Sequence, residues 1–251
     1  MPHLDRDRVA IYYEVHGAGP PILLSHGYSA TCHMWDGQVA AFADRYRLVL
    51  WDMRGHGRSG DPDDPGLYST RASVEDMAAL LRHLGIERAI VGGLSLGGYM
   101  SLAFHLAHPE MVSALMLFDT GPGYRNPQAR AEWNERAQAR AREIEARGLA
   151  ILGREGDPRV GRHRSAKGLA LAARGMLAQA DGAIIESLPA IDVPTLVLVG
   201  ALDRNFIAPA DYMAAKIPRA HKAVIPEAGH TANLDQPLLF NKAVAEFLEG
   251  L

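Results

Sequence analysis

Short runs of apolar residues recur along the chain, separated by longer stretches in which apolar positions repeat with a helical period. Ile22-Leu23-Leu24-Ser25, Leu48-Val49-Leu50-Trp51-Asp52, Ala89-Ile90-Val91-Gly92-Gly93, Val112 to Asp119 and Val193 to Gly200 show no strict apolar/polar alternation. Runs of this length, rich in Val, Ile and Leu, predict strands of a parallel sheet covered on both faces. Val9 to Val15, closed by Gly17, Gly19, Pro20 and Pro21, predicts an earlier strand. Asp5-Arg6-Asp7 predicts a turn between short edge strands, and His221–Ile225 predicts the last strand.

The intervening stretches predict helices at Trp35–Tyr46, Gly97–Ala107, about Ala208–Ile217 and about Gln236–Leu248, with Asp235 as a cap for the last. A further helix starts at Thr70 or Ser73 as cap, carries Glu75 and Asp76 in its first turn and is stopped by Gly85 after Leu84.

The alternation of strand and helix breaks between Gly121 and Pro189, where no strand-like run occurs. Pro127–Arg147 is a charged helical pattern, with Arg130, Glu132, Glu135, Arg136, Arg140 and Glu143 assigned to a solvated face. Gly153 to Pro158 predicts a loop. Lys167–Gln179 predicts a second helix with Leu169, Leu171, Ala172, Met176 and Leu177 on its apolar face, and Ala183–Leu188 a third. The expected organisation is a core of residues 1–120 and 190–251 with a helical insertion, 121–189, acting as a lid over a pocket.

Composition narrows the class. A chain of 251 residues, 48% hydrophobic, can fill one large α/β domain. A net charge of -3 with mixed signs gives no nucleic-acid footprint. The single cysteine, Cys32, forbids an internal disulfide and fits a reducing compartment. No run approaches the ~20 apolar residues of a membrane span, and the N-terminal residues lack the apolar centre of a signal peptide. A cytoplasmic protein with no membrane or nucleic-acid partner is expected.

The chemistry centres on Gly93-Leu94-Ser95-Leu96-Gly97. A predicted strand before it and a predicted helix after it supply the strand–turn–helix context of a nucleophile elbow, rather than a glycine-rich turn with an incidental serine. A serine hydroxyl needs a base within hydrogen-bond reach. Of eleven histidines, His230 lies in a glycine-flanked loop after the last strand, at the sheet edge where Ser95 is expected. A histidine base needs an acceptor to fix its tautomer, and Asp203 follows the preceding strand at the same edge. Asp119, ending the strand after the elbow, is the rival acid. Donors for a developing oxyanion are expected from the backbone N–H groups of Leu96 and Tyr28.

Other patterns carry less. Gly55, Gly57 and Gly60 spell G-x-G-x-x-G after a strand, but the acidic loop 61–66 follows instead of a helix, so a structural turn is expected rather than a dinucleotide site. Cys32 is expected to be a small buried hydrophobe, and His56 to satisfy loop backbone. His105 and His108 are three apart on a helix, with no carboxylate foreseen to complete a zinc site. Trp35, Tyr99, Met100, Tyr124, Met176 and Phe206 are candidates for a pocket wall and equally for ordinary core.

The set His26-Gly27-Tyr28, Asp52-Met53-Arg54-Gly55-His56-Gly57-Arg58-Ser59, Gly93-Leu94-Ser95-Leu96-Gly97-Gly98, Gly200-Ala201-Leu202-Asp203 and Gly229-His230 resembles the α/β-hydrolase family. It is similar to the cofactor-free serine branch with a helical cap, which includes esterases and 3-oxoadipate enol-lactonases. The resemblance implies a mostly parallel eight-stranded sheet flanked by helices, a triad in the order Ser95, Asp203, His230, and no cofactor or metal. It implies a hydrolase acting on a small or medium ester or lactone. The same triad also serves C–C bond hydrolysis and thioester cleavage, and the fold serves small-molecule sensors that signal through the lid. In a sensor, the helix 127–147 would be a partner surface. Ser95 stands where related dehalogenases and epoxide hydrolases carry aspartate, which argues against both. No uninterrupted heptad seam points to a coiled-coil oligomer.

Overall fold

The structure, a computed structural model, describes residues 2–153, 157–158 and 160–251. Its strands are β1 (His3–Arg6), β2 (Val9–His16), β3 (Pro21–Ser25), β4 (Arg47–Trp51), β5 (Ala89–Leu94), β6 (Val112–Phe118), β7 (Thr195–Gly200) and β8 (Ala220–Ile225). They form one sheet in the order β1-β2-β4-β3-β5-β6-β7-β8. β2 pairs antiparallel with β1 and β4, and every other neighbouring pair is parallel. This is the mostly parallel eight-stranded sheet expected.

Side chains on the central strands alternate between faces, yet both faces are apolar, so no polar rhythm shows in the sequence. Leu23, Val49, Val91, Leu115 and Leu117 enter one core layer, and Ile22, Leu24, Leu48, Leu50 and Met116 enter the other. Helices α2 (Thr70–His83), α3 (Leu96–Ala107) and α7 (Ile207–Lys216) cover the first layer with Met77, Leu81, Met100, Phe104 and Met213. Helices α1 (Asp36–Phe42) and α9 (Pro237–Glu249) cover the second with Phe42, Phe240 and Val244.

Several ends differ from expectation for local reasons. β1 runs through to Arg6, and the turn falls on Asp7 and Arg8, both at positive φ. Cys32–Trp35 is a 3₁₀ turn, so α1 is shorter than the predicted Trp35–Tyr46. The cap of α2 is Ser69, neither Thr70 nor Ser73: its hydroxyl accepts the Ala72 amide at 3.0 Å, while the Ser73 hydroxyl donates to the Ser69 carbonyl. Asp235 does not cap α9. It ends the short α8 (Ala232–Asp235), and its carboxylate accepts the Gly229 amide at 2.8 Å, bracing the loop that carries His230.

Between β6 and β7 the described residues contain helices and no strand. These are α4 (Pro127–Arg147), α5 (Ala166–Ala172) with a π turn at Ala173–Leu177, and α6 (Ala183–Ser187). The predicted helix Lys167–Gln179 is therefore split, and the predicted loop at 153–158 falls half outside the described residues. Asn126 caps α4 by accepting the amides of Gln128 and Ala129. Ala141 and Ile144 of α4 pack against Leu169, Ala170 and Ala173, while Met176, Ile184 and Leu188 join the main core. The inserted segment is thus keyed into the sheet layer. Among the described residues no helix is long and apolar enough to cross a membrane.

Candidate active site

β3 and β5 are neighbours although β4 separates them in sequence, so the chain changes its direction of travel across the sheet between them. The loops leaving β3 and β5 therefore open a crevice at the carboxyl ends of the strands. Ser95 leaves β5 with φ 55° and ψ -113°, a conformation rare for a residue with a side chain. Its amide donates to the Phe118 carbonyl at 2.9 Å, and its carbonyl accepts the Tyr99 amide at 3.0 Å and the Thr120 hydroxyl at 2.6 Å. Strand β6 and helix α3 thus hold the strained backbone from both sides. Close approach explains the flanking glycines: a Cβ on Gly97 would lie 2.1 Å from the Ser25 carbonyl oxygen, and one on Gly93 2.6 Å from the same atom.

His230 follows β8, and Asp203 sits buried in the turn after β7. The His230 Nδ1–H donates to Asp203 Oδ2 at 2.6 Å, which fixes the tautomer and leaves Nε2 for the cavity. The Asp203 backbone is itself anchored, because its carbonyl accepts the amides of Phe206 and Ile207. Phe206 stacks on the His230 ring with centroids 5.0 Å apart. Ser95 and His230 line the same cavity of about 730 Å³. No hydrogen bond joins Ser95 Oγ to His230; catalytic bonds of this kind are often long until the Michaelis complex forms.

Asp119 is placed differently. Its Oδ1 accepts the Gly200 amide at 2.8 Å, tying β6 to the end of β7. Burial pushes its carboxyl up to about 7, opposed by the Gly200 amide and by His230. Of the two candidate acids, Asp203 is the one bonded to the imidazole.

The β3 loop lies over the elbow: a Cβ on Gly27 would be 3.7 Å from the Ser95 Cβ. The amides of Tyr28 and Leu96 have no acceptor within the protein among the described residues. Leu96 begins α3, so its N–H is one of the orphan donors of a helix start. The Tyr28 hydroxyl is used elsewhere, donating to the Leu169 carbonyl of α5 at 2.9 Å. His26 braces this loop, a role the sequence reading did not assign. Fully buried, it donates from Nδ1 to the Gly27 carbonyl at 2.7 Å and accepts the Met53 amide at Nε2 at 2.9 Å. Asp52 accepts the amides of Cys32 and Arg58, so the glycine-rich stretch after β4 is a tied loop with no helix, as expected.

The predicted pocket residues divide. Tyr99, Tyr124 and Phe206 line the cavity. Trp35 does not: it is fully buried on the opposite side of the sheet, against Phe118 and Phe240. Met176 does not either: it is buried in the main core, although Leu177 of the same π turn lines the cavity, and Met100 is core as well. Sequence reasoning missed Trp133, Arg136, Gln179 and Tyr212, which do line the cavity. A tryptophan within an otherwise charged helix was the one available signal.

Most of the other polar groups singled out in the sequence have local partners. Cys32 is buried, and burial pushes its thiol far up. It lies with Glu14 and His33 in a group whose ligand-type atoms fall within 4.8 Å of one another. Glu14 there is already bonded to Tyr12, His16 and Arg58, which makes this a hydrogen-bonded cluster rather than an open set of ligands. Contrary to the sequence reading, His108 does meet carboxylates, Glu75 at 3.2 Å and Glu110 at 3.7 Å. His105 is no part of that group, and its Nε2 is buried without a partner. His56 donates to the Arg54 carbonyl, as expected for a loop residue.

Comparison with known proteins agrees with this geometry. The sequence profile of the alpha/beta hydrolase fold family matches residues 20–153. A Bacillus subtilis (strain 168) protein, provisionally named a 2-succinyl-6-hydroxy-2,4-cyclohexadiene-1-carboxylate synthase, is 30% identical over 98% of this chain and 97% of its own length. The 3-oxoadipate enol-lactonase 2 of Acinetobacter baylyi is 30% identical over 94% of this chain and 92% of its own. A thermophilic esterase from Thermogutta terrifontis, solved with malate bound, superposes with a TM-score of 0.79 at 32% identity, covering 96% of this chain and 94% of that one. The strained serine elbow at the centre of the sheet and the full-length likeness together place the chain in the α/β-hydrolase family, as an enzyme of hydrolase type.

Proposed function

We propose that the protein is a serine hydrolase that cleaves a small or medium carboxylic ester or lactone through Ser95, His230 and Asp203. One observation carries the reading: an imidazole held by a buried carboxylate at 2.6 Å shares a cavity with a serine on a strained elbow. Ester and lactone chemistry is what the names of two full-length relatives describe, the esterase and the enol-lactonase.

In this mechanism Ser95 Oγ attacks the carbonyl carbon while His230 Nε2 takes its proton. Asp203 orients the ring and stabilises the imidazolium that forms. The amides of Tyr28 and Leu96 receive the negative charge on the carbonyl oxygen, in a site where such donors are worth far more than in water. The C–O bond to the leaving alcohol breaks, His230 gives that alcohol its proton, and an acyl-enzyme remains. Water then loses a proton to His230, attacks the acyl carbon and releases the acid, returning the proton to Ser95. The inserted segment 121–189 acts as the lid, because Tyr124, Trp133, Leu177 and Gln179 close one wall of the cavity.

The test is hydrolysis of p-nitrophenyl acetate, butyrate and octanoate by the wild type and by Ser95→Ala. Turnover that disappears in the variant is expected, with a chain-length optimum that sizes the cavity. A folded wild type whose Ser95 neither turns over esters nor reacts with a fluorophosphonate would overturn the proposal.

A further inference from the structure

Among the described residues no acidic side chain lines the cavity, while two basic ones, Arg136 and His230, do. The other arginines of α4, and Arg174 packed against it, are committed. Arg130 donates to the Tyr124 carbonyl, Arg140 and Arg147 bond Glu143, Arg142 bonds Glu135, and Arg174 bonds Glu145. Arg136 differs: among the described residues it makes no hydrogen bond and no ion pair. Its guanidinium carbon lies 5.7 Å from the centroid of the Trp133 ring. An arginine held over an aromatic face is oriented without using its N–H donors. The planar fork therefore remains available at the cavity rim, where the side chain is exposed.

We propose that Arg136 is a carboxylate-binding point of the active-site cavity, so that the substrates are esters or lactones carrying a second, free carboxylate away from the reacting carbonyl. This rests on the reading of Ser95 as the nucleophile. A guanidinium fork matches one carboxylate with two parallel N–H···O bonds. With no acid among the lining residues, no wall carboxylate competes for that fork. The apolar ring of Trp133 beneath it, with Leu177 and Ile185 lining the same cavity, suits the methylene chain that joins the two ends of such a substrate. Because the arginine is exposed, its pull is screened by salt.

The experiment compares kcat/KM, by pH-stat, within two matched pairs: monoethyl adipate against ethyl hexanoate, and 4-acetoxybutanoate against butyl acetate. The first pair places the carboxylate on the acyl side and the second on the alcohol side. In Arg136→Gln the anionic-to-neutral ratio of at least one pair falls by about five- to ten-fold, mainly through KM, and Arg136→Lys retains more of it. In the wild type the same ratio shrinks at 0.5 M salt, an ionic strength with a Debye length of only about 4 Å. A ratio untouched by Arg136→Gln in both pairs overturns the proposal. Binding of adipate to Ser95→Ala, followed by calorimetry with and without Arg136→Gln, reads the same contact without turnover. If Ser95 proves unreactive, adipate binding that is lost with Arg136 still supports the anion site while the hydrolase reading fails. Equal displacement by inorganic phosphate and by adipate overturns the carboxylate assignment.

Discussion

Asp119 and Asp203 follow adjacent strands of the sheet and have the same side chain, yet the structure gives them different partners. Asp203 bonds the His230 imidazole, whereas Asp119 bonds a backbone amide. With Asp203 as the proposed triad acid, Asp203→Asn is expected to lower kcat by about 10³–10⁴ by favouring the wrong tautomer, with the circular dichroism spectrum unchanged. Asp119→Asn keeps an oxygen for the Gly200 amide and retains most of the activity; the reverse pattern in kcat would transfer the acid role. Asp119 also sets a pH dependence. Its carboxyl, ordinarily near 4, is pushed up to about 7 in the folded protein by burial. The folded state thus binds the extra proton between about pH 4 and pH 7, so its contribution to stability falls as pH rises through that window and is level above it. Urea titrations from pH 4 to 8 should show the wild type losing stability relative to Asp119→Asn across this range and no further beyond it.

At the scale of elements, the elbow is the most constrained piece of backbone. Gly97→Ala puts a methyl 2.1 Å from the Ser25 carbonyl, an atom fixed in β3, so the strand or the helix must move. The expected cost is about 3 kcal/mol or more, read as a lower urea midpoint together with lost activity. The same element was legible in the sequence because a strand, a turn and a helix follow one another locally and the glycines mark the close approaches. His230 and Asp203 were legible for a related reason: in a parallel sheet, loops after successive strands open at one edge. Pocket membership was not. Trp35 and Met176 are apolar residues next to the right elements, but a sheet apolar on both faces gives no sign of which side a neighbouring helix covers. The cap of α2 falls on Ser69 instead of Thr70 or Ser73 because all three are cap-forming types. Arg136 is exposed, as its charged helical pattern predicts, but that it also borders the cavity was not legible, because α4 is polar nearly all round and charge pattern alone does not orient such a helix.

For the molecule as a whole, the proposed lid and the proposed oxyanion loop are parts of one clasp. The Tyr28 hydroxyl reaches the Leu169 carbonyl at 2.9 Å. His163 accepts the Gly57 amide at Nδ1 at 3.1 Å and donates from Nε2 towards the Val160 and Ser29 carbonyls at 2.8 and 3.0 Å. Arg164 donates to the Arg58 carbonyl at 2.7 Å. Residues 163–169 thus hold the β3 and β4 loops, while Tyr124 and Trp133, earlier in the segment, face the cavity. Tyr28→Phe should cost about 1 kcal/mol of stability, and if the clasp positions the Tyr28 amide it lowers kcat more than it raises KM. The arrangement also constrains how such an enzyme can diversify. A chimera that imports a relative's entire helical segment inherits a foreign clasp along with the new wall, and its rate falls with its change of taste. Point substitutions on α4 alter the wall and leave the clasp in place, so a lineage can explore new substrates one residue at a time without passing through slow intermediates.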